Sequence, residues 1–157
     1  MPYDAEIEYL ESYGPSSNNP YISTGMLNSD STVVDIKMSV EGGNRMCGSE
    51  NSGTNRFKWG TGGNRNLYYG YAESIGSDIT PTLDTPYIFH FEKGTQWVAD
   101  VNNNIIKSSS NSIGSYSSID IKLFTCSLSN GESLLTPSGT GGIRIYYCNI
   151  TNSTKQM

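Results

Sequence analysis

The sequence contains few of the residues on which metal sites and helical folds depend. One histidine and three cysteines are too few and too widely spaced to form a zinc site. Strong helix formers such as alanine, leucine, glutamate and lysine are scarce, whereas glycine, serine, asparagine and tyrosine are frequent. This composition predicts a β-rich chain with many turns.

Clusters of basic residues and long apolar runs are also missing. The formal net charge is −5 and the lysines and arginines are dispersed, so we expect neither a nucleic-acid partner nor a membrane-surface helix. No apolar run has the length of a membrane span. Residues 1–6 lack the basic and apolar regions of an export signal, which leads us to expect assembly in a cytoplasm.

The cysteines Cys47, Cys126 and Cys148 cannot all pair within one chain. We interpret them as small apolar side chains, buried and reduced. A disulfide between Cys126 and Cys148 is the alternative.

Alternation of apolar and polar residues is the main structural signal in the chain. It is clearest in residues 32–41, which predict a strand with one buried and one solvent-facing side. The residues of the buried side are Val34, Ile36, Met38 and Val40, and those of the other side are Asp35, Lys37 and Ser39.

Several further short strands are expected, separated by turns rich in glycine, asparagine and serine. They cover residues 6–10, 21–25, 46–48, 55–59, 66–71, 87–92, 96–101, 105–107, 119–124 and 142–150. Residues 87–101 predict a hairpin about a turn at 93–95, and residues 73–86 and 108–118 predict loops. The pattern predicts one all-β domain over residues 1–150, a two-sheet antiparallel sandwich, followed by a polar tail at 151–157 that frays.

Two segments near the start of the chain, EYLES at residues 8–12 and YISTG at residues 21–25, resemble the opening of a known family. It is the concanavalin A-like (laminin G-like) jelly-roll family of gut bacteria and their phages. Similar features follow in the strand at 33–40, the hairpin at 87–102 and the segment 143–150. The chain departs from the family in its longer first turn, in Ser23 where the family has aspartate, and in lacking the later F-I-P segment.

The resemblance implies a jelly-roll sandwich that acts as a non-catalytic, lectin-like binding, adhesive or virion-surface module. We therefore expect a virion-associated structural or attachment protein of a gut-bacterial phage, assembled in the host cytoplasm. Its expected partners are other virion proteins or cell-surface glycans, and it is expected to form homo-oligomers. The alternative is a bacterial cell-surface or secreted carbohydrate-binding module, and a glycoside hydrolase is the third hypothesis.

The spacing of Glu6, Glu8 and Glu11 is one substitution away from the E-x-D-x-x-E pattern of jelly-roll glucanases. The additional methylene of Glu8 would displace the central carboxylate of such a site. We interpret these acids as charges that protect an edge strand, and we assign no catalytic residue.

Aromatic residues are the candidates for a glycan site, because a sugar can stack its C–H face on a ring while neighbouring polar groups bind its hydroxyls. The alternative role of these rings is to fill the core. The candidate rings are those of Phe57, Trp59, Tyr68, Tyr69, Tyr71, Tyr87, Trp97, Tyr146 and Tyr147. Rings beside asparagine or arginine favour one site in particular. Its predicted residues are Arg56, Trp59, Arg65, Asn66, Tyr69 and Tyr71.

No cofactor is expected, and no metal ligands are assigned. The aspartates occur singly rather than in a dense calcium loop, although a calcium ion between loops, as in some laminin G-like domains, is an alternative. His90 lies among Tyr87, Phe89 and Phe91, which predicts a hydrogen-bonded strand histidine rather than a catalytic base.

Overall fold

The computed structural model describes residues 10–12, 21–27, 29–40, 45–50, 56–61, 67–72, 75–76, 79–110, 120–123, 126–128, 133–134, 142–152 and 155–156. Within these ranges every regular element is a β-strand. The strands are β1 (Leu10–Ser12), β2 (Ile22–Leu27), β3 (Val33–Val40), β4 (Arg45–Glu50), β5 (Arg56–Thr61), β6 (Leu67–Ala72), β7 (Ile75–Gly76), β8 (Tyr87–Glu92), β9 (Thr95–Ala99), β10 (Ile105–Ser109), β11 (Asp120–Leu123), β12 (Cys126–Leu128), β13 (Ser133–Leu134), β14 (Ile143–Asn152) and β15 (Lys155–Gln156). In the same part of the chain, no helix has the length and apolarity needed to cross a membrane.

The strands form two sheets. The first sheet has the order β1-β14-β3-β8-β9-β10, with β15 also paired to β14. The second has the order β13-β12-β4-β5-β6-β7, and β11 joins β2 to β4. All described pairings are antiparallel except that of β12 with β4, which is parallel. The prediction of an all-β chain with two largely antiparallel sheets is thus confirmed.

One hydrophobic core lies between the sheets, as in a β-sandwich. The first sheet contributes the larger part of it, from β3, β8, β9 and β14, while the second contributes residues of β2, β4 and β11. The core residues are Met26, Val34, Ile36, Met38, Cys47, Tyr87, Phe89, Phe91, Val98, Ile121, Leu123, Ile143, Ile145 and Ile150.

Strand β3 follows the predicted alternation over most of its length. Val34, Ile36 and Met38 are buried in the core, whereas Asp35 and Lys37 on the opposite side are partly exposed. Ser39 differs from the prediction, since it is 1% exposed although it belongs to the side predicted to face solvent. Its neighbour across the sheet explains the burial, because the Tyr146 hydroxyl lies 3.5 Å from the Ser39 hydroxyl.

The predicted hairpin is present as β8 and β9, with one difference in the turn. Glu92 pairs directly with Thr95, so the turn contains only Lys93 and Gly94 and Thr95 belongs to β9. Gly94 has a φ of 87°, a conformation that glycine adopts without steric cost. Val101, predicted to end the second strand, lies in the next turn.

Three predicted loops or tails are shorter than expected. The loop predicted at 73–86 contains the two-residue strand β7, and β10 extends into the serine-rich stretch as far as Ser109. At the C-terminal end, β14 continues to Asn152 and β15 pairs back onto it. These segments pair with neighbouring strands although alternation of apolar and polar residues does not indicate a strand there. The strand predicted at 6–10 lies outside the described residues except for Leu10.

A carboxylate fixes the turn between β9 and β10. Asp100 accepts hydrogen bonds from the backbone N–H groups of Asn102 at 2.8 Å and Asn104 at 2.9 Å, and from the Asn104 side chain at 3.0 Å. Asn103 takes a φ of 64°, which asparagine tolerates in tight turns. The bonds from Asn104, with its side chain contributing most, lower the pKa of Asp100 below its usual value of 3.8.

This lowered pKa predicts a pH-dependent contribution of the turn to stability. The Asp100 carboxylate stabilises the folded state above the pKa of the unfolded chain, and that contribution is lost as the pH falls through the lower pKa of the folded state. We expect the stability difference between wild type and Asp100→Ala, measured by urea unfolding, to be largest near neutral pH and to shrink below about pH 4. Asp100→Asn is the matched control, because it keeps an acceptor oxygen without titrating. A difference that does not vary with pH would contradict the prediction.

The described cysteine side chains agree with the interpretation as reduced, buried residues. Cys47 is a reduced thiol buried in the core, and Cys148 is a reduced, partly buried thiol packed against the core. Burial raises the pKa of Cys148 to about 12, so this thiol stays protonated at physiological pH.

Candidate functional site

The outer face of the first sheet, the side turned away from the core, carries the most developed group of polar and aromatic side chains among the described residues. Alternation along β3, β8 and β9 sends Val34, Phe89 and Val98 into the core. The residues between them occupy the opposite face, where Asp35, His90 and Trp97 lie on three neighbouring strands.

The strand register places these three side chains in one row across the sheet, which we call the Asp35–His90–Trp97 row. Asp35 pairs with His90, and His90 pairs with Trp97. The rings of His90 and Trp97 are stacked, with centroids 4.9 Å apart and planes 15° from parallel. The centroid distance is close to the spacing of about 4.8 Å between neighbouring strands, as expected for stacked rings on directly paired residues.

Asp35 orients the imidazole ring of His90. The Nδ1 atom of His90 lies 2.7 Å from Oδ1 of Asp35. Because a carboxylate can only accept a hydrogen bond, Nδ1 of His90 carries a hydrogen and donates the hydrogen bond to Asp35. On the other side, Nε2 lies 3.8 Å from Oε1 of Glu92. The expectation of a hydrogen-bonded strand histidine is therefore confirmed, and the ring that supports Trp97 is held in place.

A second aromatic group adjoins the row on β14. The Nζ atom of Lys37 lies 5.8 Å from the ring centroid of Tyr146, a cation–π contact. Tyr147, which pairs with Lys37, is 44% exposed. Burial, and to a lesser degree the negative charge of Asp35, raises the pKa of Tyr147, so its hydroxyl remains protonated and able to donate.

Chemically, the outer face offers a fixed aromatic plane bordered by hydrogen-bonding groups, which suits the stacking and orientation of a ligand. Within the described ranges, no group of three histidine, cysteine, aspartate or glutamate side chains lies close enough together to hold a metal ion.

The second sheet contains a smaller polar group around Ser23. Ser23 donates a hydrogen bond to the carboxylate of Asp120, and Thr24 donates to the carbonyl of Ile121 at 2.8 Å. The Nζ atom of Lys122 lies 4.4 Å from the ring centroid of Tyr21. These contacts join β2 to β11, so we assign the polar residues of this group a structural role.

The glycan site predicted from sequence remains a prediction. Arg65 and Asn66 lie outside the described residues, and only the backbone positions of the other members are described. Trp59 pairs with Tyr69, and Tyr71 pairs with Phe57, so alternation places the three predicted rings at positions of one sheet face. Arg56, which pairs with Ala72, occupies a position of the opposite face.

The Asp35–His90–Trp97 row was not identified from sequence as a site. Trp97 was among the candidate rings, but the polar partners considered were sequence neighbours, whereas Asp35 and His90 approach Trp97 across the sheet. The alternation pattern is the available signal, because it assigns each of the three residues to the non-core face of its strand.

No protein-family model, no curated protein and no solved structure matches this chain. The class that the fold defines is therefore an all-β sandwich protein, and its function is argued from the residues of the site.

Proposed function

We propose that this chain is a non-catalytic binding protein: a virion-associated structural or attachment protein, such as a capsid or tail decoration or a fibre component, of a phage that infects gut bacteria. In this proposal the sandwich is a jelly roll of the concanavalin A-like kind. The likeness of EYLES at 8–12 and YISTG at 21–25 to the opening of that family supports it.

The observation that carries the binding role is the Asp35–His90–Trp97 row on the outer face of the first sheet. A fixed indole beside hydrogen-bonding side chains can hold a glycan or a neighbouring virion protein by stacking and polar contacts, without bond cleavage. Such contacts are individually weak. Homo-oligomeric copies on a particle would strengthen them through avidity, which can exceed single-site affinity by a factor of about 10²–10⁴.

Mass spectrometry of purified phage particles from the source culture tests the virion role. We expect the protein to co-sediment with the capsid and tail proteins and to be present in several copies per particle. Recovery only in the bacterial envelope or the culture medium would overturn the virion role and favour a bacterial carbohydrate-binding module.

Incubation with β-glucans tests the non-catalytic part of the proposal. We expect no release of reducing sugar. Hydrolysis that disappears in Glu6→Gln or Glu11→Gln would overturn the non-catalytic assignment and favour a glycoside hydrolase, because removal of a catalytic carboxylate abolishes the reaction.

A further inference from the structure

The geometry points to a sugar-binding subsite above Ser108, in which one neutral pyranose ring lies against the face of the Trp97 indole that is turned away from His90. This inference rests on the proposed binding function and gives that function a ligand class and a location. It differs from the site predicted around Trp59, which belongs to the second sheet.

The first argument is that the indole is held in position before any ligand binds. Asp35 fixes the His90 ring through the 2.7 Å hydrogen bond, and His90 covers one face of Trp97 over a centroid distance of 4.9 Å. The His90 side chain is only 15% exposed, which limits its alternative positions. A ligand that stacks on Trp97 therefore loses little affinity to ordering of the protein.

The second argument is the residue that lies beyond Trp97 in the same row, Ser108. Ser108 of β10 pairs directly with Trp97, and it is short and exposed. Among the described strands, β10 is the last in the first sheet. The row therefore runs from Asp35 through two stacked rings to a position where the protein places a single hydroxyl. A ring standing above Ser108 would lie one strand spacing, about 4.8 Å, from the indole.

The third argument is the charge around the site. Asp35 and Glu92 flank His90 with side chains 36% and 49% exposed, and the chain carries a net charge of −5. Carboxylates on both sides of His90 favour a neutral ligand over an anionic one at this place. The exposed hydroxyl residues Thr95 and Ser108 lie on the same face as Trp97 and can bond sugar hydroxyls. A neutral pyranose, which has an apolar C–H face and hydroxyls around its edge, fits these surroundings.

Binding to an array of neutral oligosaccharides built from glucose, galactose, mannose and N-acetylglucosamine tests the subsite. We expect Trp97→Ala to weaken binding of the best glycan about tenfold, since aromatic stacking contributes on this order. Ser108→Phe places a ring of the protein in the subsite and should abolish binding. Because Ser108 is exposed on a terminal strand, Ser108→Phe should melt at the wild-type temperature.

Asn149→Phe is the matched control. Asn149 is exposed on the same outer face, but it pairs with Asp35 on the side away from Trp97. The same substitution there should leave glycan binding unchanged, which separates blocking of the subsite from a general effect of an added ring.

Three results would overturn the inference. Binding that survives both Trp97→Ala and Ser108→Phe but is lost in Trp59→Ala would move the ligand to the second sheet and leave the binding function intact. Absence of wild-type binding to every neutral glycan, together with recovery in particles, would leave a purely structural virion role. Displacement of the bound glycan by tetramethylammonium but not by methyl glycosides would indicate that the Trp97 ring forms a cation site instead.

Discussion

Replacing Phe89 with alanine is expected to lower the free energy of unfolding by about 3–5 kcal/mol. Phe89 is 1% exposed and lies on β8, directly between Ile36 of β3 and Val98 of β9, which are both 0% exposed. Removal of the ring opens a cavity between the sheets, and the strand pairing on both sides prevents its neighbours from closing it. The loss is a large share of the stability of an ordinary domain, which is about 5–15 kcal/mol.

Equilibrium unfolding in urea, followed by circular dichroism, measures this effect. Ile105→Ala is the matched control, because Ile105 is 58% exposed on the terminal strand β10. We expect the control to change the free energy of unfolding by less than about 0.5 kcal/mol. Similar losses in the two variants would contradict the packing of the sheets over Phe89.

Alkylation of Cys148 is expected to be about a thousand times slower in the folded protein than in the unfolded chain. Burial raises the pKa of this thiol to about 12, and only the thiolate reacts. At about pH 8 an exposed cysteine, with a pKa of about 8.5, is substantially ionised, whereas the Cys148 thiol is almost entirely protonated.

Iodoacetamide labelling followed by peptide mass spectrometry measures the rate at each cysteine separately. The same peptide labelled in denaturant supplies the reference rate, and Cys148→Ala confirms its assignment. Comparable rates with and without denaturant would show that Cys148 is accessible and ionised, contrary to its packing against the core.

Local alternation was sufficient to predict the central elements of the fold. The strands at 33–40 and 87–92 are long enough for their buried residues to stand out, and both lie in the middle of the first sheet. Short strands at the periphery carry too few residues for a pattern. β7 and β15 contain two residues each, too few to show any alternation, and they are recognised as strands by their backbone pairing.

The pairing of His90 with Trp97 depends on the length of one turn. A three-residue turn at 93–95, as predicted, would place His90 opposite Val98, a core residue. The two-residue turn of Lys93 and Gly94 moves the register by one and brings His90 beside Trp97. A register shift of one residue pairs the residues of one sheet face with those of the other face. A one-residue error in the predicted turn is therefore enough to miss the pairing of His90 with Trp97.

The contact between Asp35 and His90 had no counterpart in the sequence pattern. β3 and β8 are adjacent in the first sheet, whereas β4, β5, β6 and β7, which lie between them in the sequence, belong to the second. Pairing between strands so far apart is decided by the packing of the whole sandwich. Residue types and local spacing therefore predicted which rings are candidates for a binding surface, but not that Asp35 and His90 approach Trp97.

The position of β14 in the first sheet determines when this protein can fold. β14 pairs with β3 from Ile143 opposite Val40 to Thr151 opposite Val33, and with β1 near the start of the chain. Synthesis must therefore reach Asn152, the end of β14, before the first sheet acquires this inner strand, and until then β3 lacks one of its two neighbours in the sheet. Folding of the first sheet is thus a late event dominated by long-range pairing, which is slow and exposes the nascent chain to aggregation.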